Sequence, residues 1–309
     1  MTPIKIDIMK IHLPTNYNQS MSKDTIPTLV NPEWLETRLD VSDVQVLDCT
    51  VYLQAGSGEK NYDLKSGYDH WSEAHIPGSQ FADLIEDLSE TENPEYPFQL
   101  PTPDVFASAV SELGVSNDSR VVLYDTVDQG NNNEWAARLW WMFRVFGHDQ
   151  VGVLNGGWPR WTAENRPVSS TVTTPTSADF TAEYREELVA DKEDVRTQIE
   201  DSDACVINAL QSGDHAAERI PNSVNVPAVG DEGVLDTDGT YVSDDTLREQ
   251  FSEVGATDAD TVTTYCGAGI AASSEALALH QAGITDVAVY DGSLSDWTAD
   301  PDLPTEQGE

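Results

Sequence analysis

Cys266 is the residue of this chain best placed to act as a nucleophile. It stands inside Thr261-Val-Thr-Thr-Tyr-Cys-Gly-Ala-Gly-Ile-Ala-Ala272, and Ser273-Ser-Glu-Ala-Leu-Ala-Leu-His-Gln-Ala-Gly283 follows. Val262 to Tyr265 have the β-branched and aromatic side chains of a short buried strand. The Ala- and Leu-rich stretch closed by Gly283 has the pattern of a helix with a glycine C-cap. A strand therefore hands over to a helix at Cys266. The first amides of a helix have no backbone partners, and a turn containing Gly267 and Gly269 can aim more of them inward. Together with the helix dipole they would stabilise a thiolate. The plainer alternative is a small thiol buried at a strand end.

The neighbours of Cys266 narrow the reaction. A cysteine phosphatase holds phosphate with an arginine at the sixth position after its nucleophile, and that position is Ala272. A Cys-x-x-Cys redox pair would need a second cysteine where Gly269 stands. No papain-like signature surrounds the residue. What remains is a thiolate among backbone donors, an arrangement suited to holding a persulfide. Cys49 and Cys205 lie in apolar strand-like runs and read as core residues; three distant cysteines form no disulfide framework.

Further strands and helices must position this loop. Asn31-Pro-Glu-Trp-Leu-Glu-Thr-Arg-Leu39 reads as a helix with an Asn cap and Pro in its first turn. Val44 to Asp48 and Arg120 to Asp125 read as strands, and Val51 to His70 as a polar surface loop. The aromatic run around Trp140, Trp141, Phe143 and Phe146 reads as a core helix. Pro167 to Thr176 has the Thr, Ser and Pro content of an extended linker. Beyond it come a helix near Asp191 to Glu200, a strand from Ala204 to Asn208, a helix from Asp244 to Phe251 and a last strand from Val287 to Tyr290. Alternation of this kind predicts α/β domains with parallel sheets flanked by helices. In such sheets, sites lie at the carboxyl ends of strands, which is where Cys266 falls.

The chain also repeats itself. Val121 to Asp125 matches Val262 to Cys266, Val153 to Trp161 matches Val289 to Trp297, and His75-Ile-Pro-Gly-Ser79 matches Arg219-Ile-Pro-Asn-Ser223. In the first copy Asp125 occupies the nucleophile's position, so that half cannot perform thiol chemistry.

The Cys266 loop and its flanks resemble the active-site loop of the two-domain rhodanese sulfurtransferases, a family that includes thiosulfate and 3-mercaptopyruvate sulfurtransferases. Ala74-His-Ile-Pro-Gly-Ser79, Arg138-Leu-Trp-Trp-Met-Phe-Arg-Val-Phe-Gly-His148, Val153-Leu-Asn-Gly-Gly-Trp-Pro-Arg-Trp161 and Val289-Tyr-Asp-Gly-Ser-Leu-Ser-Asp-Trp297 carry the same resemblance in order, from about Thr28 to Pro304. It implies two tandem rhodanese-like domains: a non-catalytic one over residues 26–165 and a catalytic one over 191–304, joined by a linker over 166–190. It also implies a Cys266 persulfide held by the amides of Gly267, Ala268, Gly269, Ile270, Ala271 and Ala272. The donor would be a small anionic sulfur compound, the acceptor cyanide, a thiol or a small redox protein. No metal or organic cofactor is required.

Two departures bear on the donor. Thiosulfate-type loops of the resembled family carry Arg and Lys after the cysteine, whereas Gly267-Ala268-Gly269 is closer to the mercaptopyruvate type, without that type's hydroxyls. The family's Asp-x-Arg, whose arginine binds the anionic donor, is here Asn208-Ala-Leu210. Arg219 is a possible substitute anchor, with a surface salt bridge as the alternative. The resemblance gives His75 an accessory acid/base role in the mercaptopyruvate branch; a structural histidine is the alternative. Thiosulfate is the expected donor, and a non-catalytic or sulfur-sensing interaction protein is the alternative function.

Composition excludes other classes. A chain of 309 residues, 39% hydrophobic and with 8 Trp, can build two globular cores. Its 55 acidic against 16 basic residues give a net charge of -39, which repels nucleic acid and anionic membranes alike. The carboxylates are scattered rather than blocked, a pattern resembling proteins adapted to a salty cytoplasm; at molar salt the Debye length of about 3 Å leaves a local anion site usable. No apolar run approaches the roughly 20 residues that cross a bilayer, and no signal-peptide pattern opens the chain. The reading is a soluble, cytoplasmic protein, with residues 1–25 as a disordered extension.

Overall fold

The computed structural model describes residues 25–55, 62–126, 133–230 and 232–308. Apart from Thr25, the extension expected over residues 1–25 lies outside them.

In the first half the strands are β1 (Leu29–Val30), β2 (Val44–Asp48), β3 (Val51–Ala55), β4 (Tyr62–Ser66), β5 (Gln80–Phe81), β6 (Arg120–Tyr124) and β7 (Val151–Leu154). The helices are α1 (Pro32–Glu36), α2 (Tyr68–Glu73), α3 (Pro103–Glu112), α4 (Glu134–Val145) and α5 (Gly157–Ala163). The second half adds β8 (Val189–Ala190), β9 (Ala204–Asn208), β10 (Val224–Asn225), β11 (Thr261–Tyr265) and β12 (Val287–Tyr290). Its helices are α6 (Lys192–Gln198), α7 (Ser212–Ala217), α8 (Asp244–Glu253), α9 (Ile270–Ala282) and α10 (Ser293–Trp297).

Two parallel sheets result, ordered β1-β7-β6-β2-β5 and β10-β9-β11-β12-β8. Their central strands are buried on successive residues, as sheets covered on both faces require. Side-chain caps start the helices where the sequence places them: Asn31 Oδ1 accepts from Trp34 N at 2.8 Å, and Asp191 forms a capping box with Asp194.

The structure corrects three local readings. Helix α1 stops at Glu36 instead of reaching Leu39, because the Thr37 hydroxyl bonds back to Glu33 O and Trp34 O and the chain turns. The stretch Val51 to His70 contains the antiparallel hairpin β3-β4 and the start of α2. The stretch given to the linker ends in β8, which pairs with β12 at the edge of the second sheet.

The two halves repeat at the level of single hydrogen bonds. Tyr124 OH accepts from Ile76 N at 3.3 Å and meets Ser79 Oγ at 3.1 Å; Tyr265 OH accepts from Ile220 N at 3.0 Å and meets Ser223 Oγ at 2.7 Å. Trp161 Nε1 donates to Pro167 O, and Trp297 Nε1 to Pro304 O. Helices α4 and α9 pack against each other, so one apolar cluster runs through both halves. Trp140, from the aromatic run, is buried in it and meets the His280 ring edge-on at 5.4 Å. Among the described residues no helix is long and apolar enough to cross a membrane.

Candidate active site

Cys266 follows the last residue of β11 and is 2% exposed. Gly269, with φ of 78°, turns the chain into α9. A side chain at that position would meet Asp291 O at 2.8 Å and Arg138 Nη1 at 3.0 Å, so both the dihedral and the space call for glycine.

Ser293 fixes the loop from beneath. Its Oγ accepts from Cys266 N at 3.0 Å and Gly269 N at 3.1 Å, and donates its one proton to Tyr290 O at 2.8 Å. The same oxygen lies 4.0 Å from Cys266 Sγ. Ser293 holds a φ of 50°, an uncommon left-handed conformation for a residue with a side chain. Leu294 N and Ser295 N donate to Cys266 O and Gly267 O at 3.0 Å each, tying the loop to α10. The amides of Gly267, Ala268, Ile270, Ala271 and Ala272 find no acceptor among the described residues. They are the donors an anion on Cys266 requires.

A buried ion pair braces this loop against the first half. Arg138 Nη1 lies 2.6 Å from Asp291 Oδ1, with the two side chains 2% and 1% exposed. Arg138 Nη2 donates to Phe98 O at 2.6 Å, while Asp291 Oδ2 accepts from Leu100 N at 2.9 Å. Gly269 O lies 3.5 Å from Arg138 Nη1 and accepts from Ser273 Oγ at 2.7 Å.

Above the loop is a cavity of about 340 Å³ between the two halves. Cys266, Gly267, Ala268, Ile270 and Ala271 form one wall; Phe98, Glu134 and Trp135 face them, and Leu210 and Val229 add apolar surface. Asp214 and Ser295 are exposed at its edge. No Lys or Arg lines it among the described residues. Burial, with Asp125 nearby, pushes the Glu134 carboxyl up to about 8, so it is largely protonated at neutral pH.

The other cysteines are inert by position. Burial pushes the Cys49 thiol well up, and Cys205 is pushed up to about 11 by burial and the charge of Glu275. Their sulfurs face Tyr124 O and Val254 O. Among the described residues no three His, Cys, Asp or Glu side chains converge to hold a metal ion.

The model of the rhodanese-like domain matches this chain twice, over residues 31–164 and 187–300. The chain belongs to the rhodanese family. Rattus norvegicus thiosulfate sulfurtransferase is 33% identical over 299 residues, covering 91% of this chain and 96% of its own. Homo sapiens 3-mercaptopyruvate sulfurtransferase is 31% identical over 287 residues, covering 87% of this chain and 91% of its own. The solved structure of SseA from Escherichia coli, a 3-mercaptopyruvate sulfotransferase with the rhodanese fold, superposes with a TM-score of 0.73 at 28% identity. It covers 87% of this chain and 99% of SseA.

Within this rhodanese architecture the two accessory candidates lie away from Cys266. His75 is fully buried, stacked on Trp71, with Nδ1 2.7 Å from Trp71 O, and it does not line the cavity. Arg219 binds Gly308 O and pairs with Glu306 at 3.7 Å, securing the C-terminal segment. The repeat explains the pairing of these two positions: His75 N donates to Ser169 O as Arg219 N donates to Glu306 O. Leu210 lines the cavity, so the position where the resembled pattern has arginine is apolar here. The sequence reading missed Ser293, the Arg138–Asp291 pair and Glu134. For Ser293 a signal existed, since the repeat sets it opposite Gly157.

Proposed function

We propose that this chain is a sulfurtransferase whose Cys266 thiolate takes sulfane sulfur from thiosulfate or 3-mercaptopyruvate and passes it to cyanide, a thiol or a small redox protein. With thiosulfate, the thiolate attacks the outer sulfur, an S–S bond forms to Cys266, and the S–S bond to the sulfonate sulfur breaks with its electron pair leaving on sulfite. Cyanide then attacks the terminal sulfur of the persulfide, thiocyanate leaves, and the thiolate returns. Charge stays balanced in both steps, and no proton is needed.

The observation that carries this reading is the loop itself. Cys266 opens on the cavity between the two halves, beside five amides without acceptors among the described residues. Cys205 borders a smaller cavity with its thiol pushed up to about 11, and Cys49 is fully buried. Preorganised donors of this kind stabilise charge on a persulfide as an oxyanion hole does on oxygen. Full-length relatives with thiosulfate and 3-mercaptopyruvate activities support the donor classes. One observation favours the sulfur-sensing alternative: the cavity's described lining lacks the cation that would draw in a dianion.

Thiocyanate formation from thiosulfate and cyanide separates the two. Cys266→Ser should abolish turnover, whereas Cys49→Ser and Cys205→Ser should retain most of it. Equal loss in all three folded variants would remove Cys266 from the nucleophile's role.

A further inference from the structure

Two donors of the proposed reaction differ in their proton requirement. Thiosulfate releases sulfite with no proton transfer. A β-mercapto-α-keto acid such as 3-mercaptopyruvate releases its sulfur from carbon, and the electron pair of the broken C–S bond must be protonated to give the keto acid. The thiol also has a proton to lose. An enzyme using this donor needs a group that gives one proton and recovers another.

Glu134 is the group in this cavity built for that task. It is the first residue of α4, 5% exposed, and it lines the same cavity as Cys266 and Ile270. No Lys or Arg of the described lining holds it as a carboxylate. The titratable groups around it are Asp125 at the end of β6, Tyr241 ahead of α8, Asp214 on α7 and Cys266 after β11. None is cationic. Burial and the charge on Asp125 therefore keep its proton on up to about pH 8. Asp214 is exposed at the cavity's edge, Ser295 Oγ donates to Gly267 O, and His75 lies elsewhere, so none competes for the role.

We infer that Glu134 is the proton-transfer residue for a β-mercapto-α-keto acid donor, an inference that rests on Cys266 being the sulfur carrier. Cys266 thiolate attacks the donor's sulfur, and the S–S bond forms as the C–S bond breaks. The released pair on carbon takes the proton of Glu134, giving the methyl ketone of the product acid. The Glu134 carboxylate then takes the proton from the terminal sulfur, leaving Cys266 as the persulfide anion and Glu134 protonated again. The donor's sulfur is oxidised by two electrons and its carbon reduced by the same two, so no outside oxidant or reductant enters.

The test compares 3-mercaptopyruvate and thiosulfate as donors, with cyanide as acceptor, in the full chain. The ratio of 3-mercaptopyruvate to thiosulfate turnover should fall by about 100-fold or more in Glu134→Gln, the usual scale of general acid–base catalysis. Glu134→Asp should restore part of that ratio. In the wild-type protein, kcat/KM for 3-mercaptopyruvate should fall above about pH 8, as Glu134 loses its proton. This alkaline limb should be missing with thiosulfate. An unchanged ratio in folded Glu134→Gln, or the same alkaline limb with both donors, would overturn the assignment. Persulfide formation from thiosulfate but none from 3-mercaptopyruvate would overturn it too, while leaving Cys266 as sulfur carrier. Loading by neither donor would instead overturn the sulfur-carrier reading beneath it.

Discussion

The N-terminus of α4 and the N-terminus of α9 are the same piece of architecture put to different uses. Each follows the central strand of its sheet, and each is closed from beneath by the loop after the next strand. Before α4 stands Asp125, whose Oδ2 accepts from Ala136 N at 2.9 Å, so the helix's free amides are met by a side chain of the protein itself. Before α9 stands Cys266, and the corresponding amide of Ala272 has no acceptor among the described residues. One end has its amides met by a permanent carboxyl group. The other leaves donors for a group that comes and goes. Only an unfilled site can exchange charge with a substrate, which is why the half with the cysteine is the one read as reactive.

The supports beneath the two ends differ in the same sense. Gly157 and Ser293 hold equivalent positions at nearly the same φ, 51° and 50°. The first end has no room there: an added side chain would strike Asp125 O at 2.6 Å and Asn133 Oδ1 at 2.7 Å. The second end fills the space with a hydroxyl that accepts two loop amides, in a conformation costing about 1–3 kcal/mol. Asn155 and Asp291 form a second such pair. Asn155 Oδ1 accepts from Tyr241 N at 2.9 Å, as Asp291 Oδ2 accepts from Leu100 N, but Asp291 also faces Arg138.

This last difference should give the largest effect. Asp291→Ala strands the Arg138 guanidinium in the interior and should cost about 3–5 kcal/mol, whereas Asn155→Ala removes one part-buried acceptor and should cost about 1 kcal/mol. Urea unfolding of the two variants measures the gap. Equal costs would mean that the ion pair braces nothing.

Converting Ser293 to the first half's glycine gives a smaller, mixed effect. Ser293→Gly relieves the strained backbone and leaves the amides of Cys266 and Gly269 without their acceptor, for a net loss of about 1 kcal/mol. The loop would lose its seat, so thiosulfate turnover should drop about tenfold, in line with the sensitivity of catalysis to small misplacements. Full turnover in this variant would show that the serine is not what orders the loop.

A further effect concerns pH. Burial holds the Asp125 carboxyl up at about 7, Asp48 at about 6 and Glu134 at about 8, so the folded protein keeps protons that the unfolded chain has released. Stability from such groups is fully present below the ordinary carboxylate range and is lost as pH rises through the folded values. Unfolding free energy should therefore fall from about pH 4, the ordinary carboxylate range, up to about pH 8. In Asp125→Asn that fall should be smaller by about 4 kcal/mol. An identical pH slope in variant and wild type would mean that Asp125 is not held protonated.

Much of this comparison was legible in the sequence because it rests on local chemistry. Val262 to Tyr265, Gly267, Gly269 and Gly283 announce strand, turn and helix by themselves, and the internal repeat sets Asp125 against Cys266. What the sequence withholds is long-range. Arg138 and Asp291 lie in different halves, and nothing in their own surroundings says that they meet. The pair Val189–Ala190 is too short to read as a strand until β12 lies beside it. The paired strands Val51–Ala55 and Tyr62–Ser66 alternate weakly and read as a polar loop. Ser293 breaks the usual preference for glycine at its dihedral, so only the superposed repeat exposes it. Glu134, opening a helix otherwise read as core, is ordinary in sequence. Its character comes from burial beside Asp125.

The central claim is that Cys266 exchanges sulfur while its counterpart Asp125 holds a fixed place. Intact-protein mass spectrometry in multimolar KCl, before thiosulfate, after it and then after cyanide, tests this most directly. The account predicts a gain of one sulfur atom, mapped to Cys266, that cyanide removes as thiocyanate. Folded protein that gains no sulfur from thiosulfate or 3-mercaptopyruvate, or that gains it on Cys49 or Cys205, would contradict it.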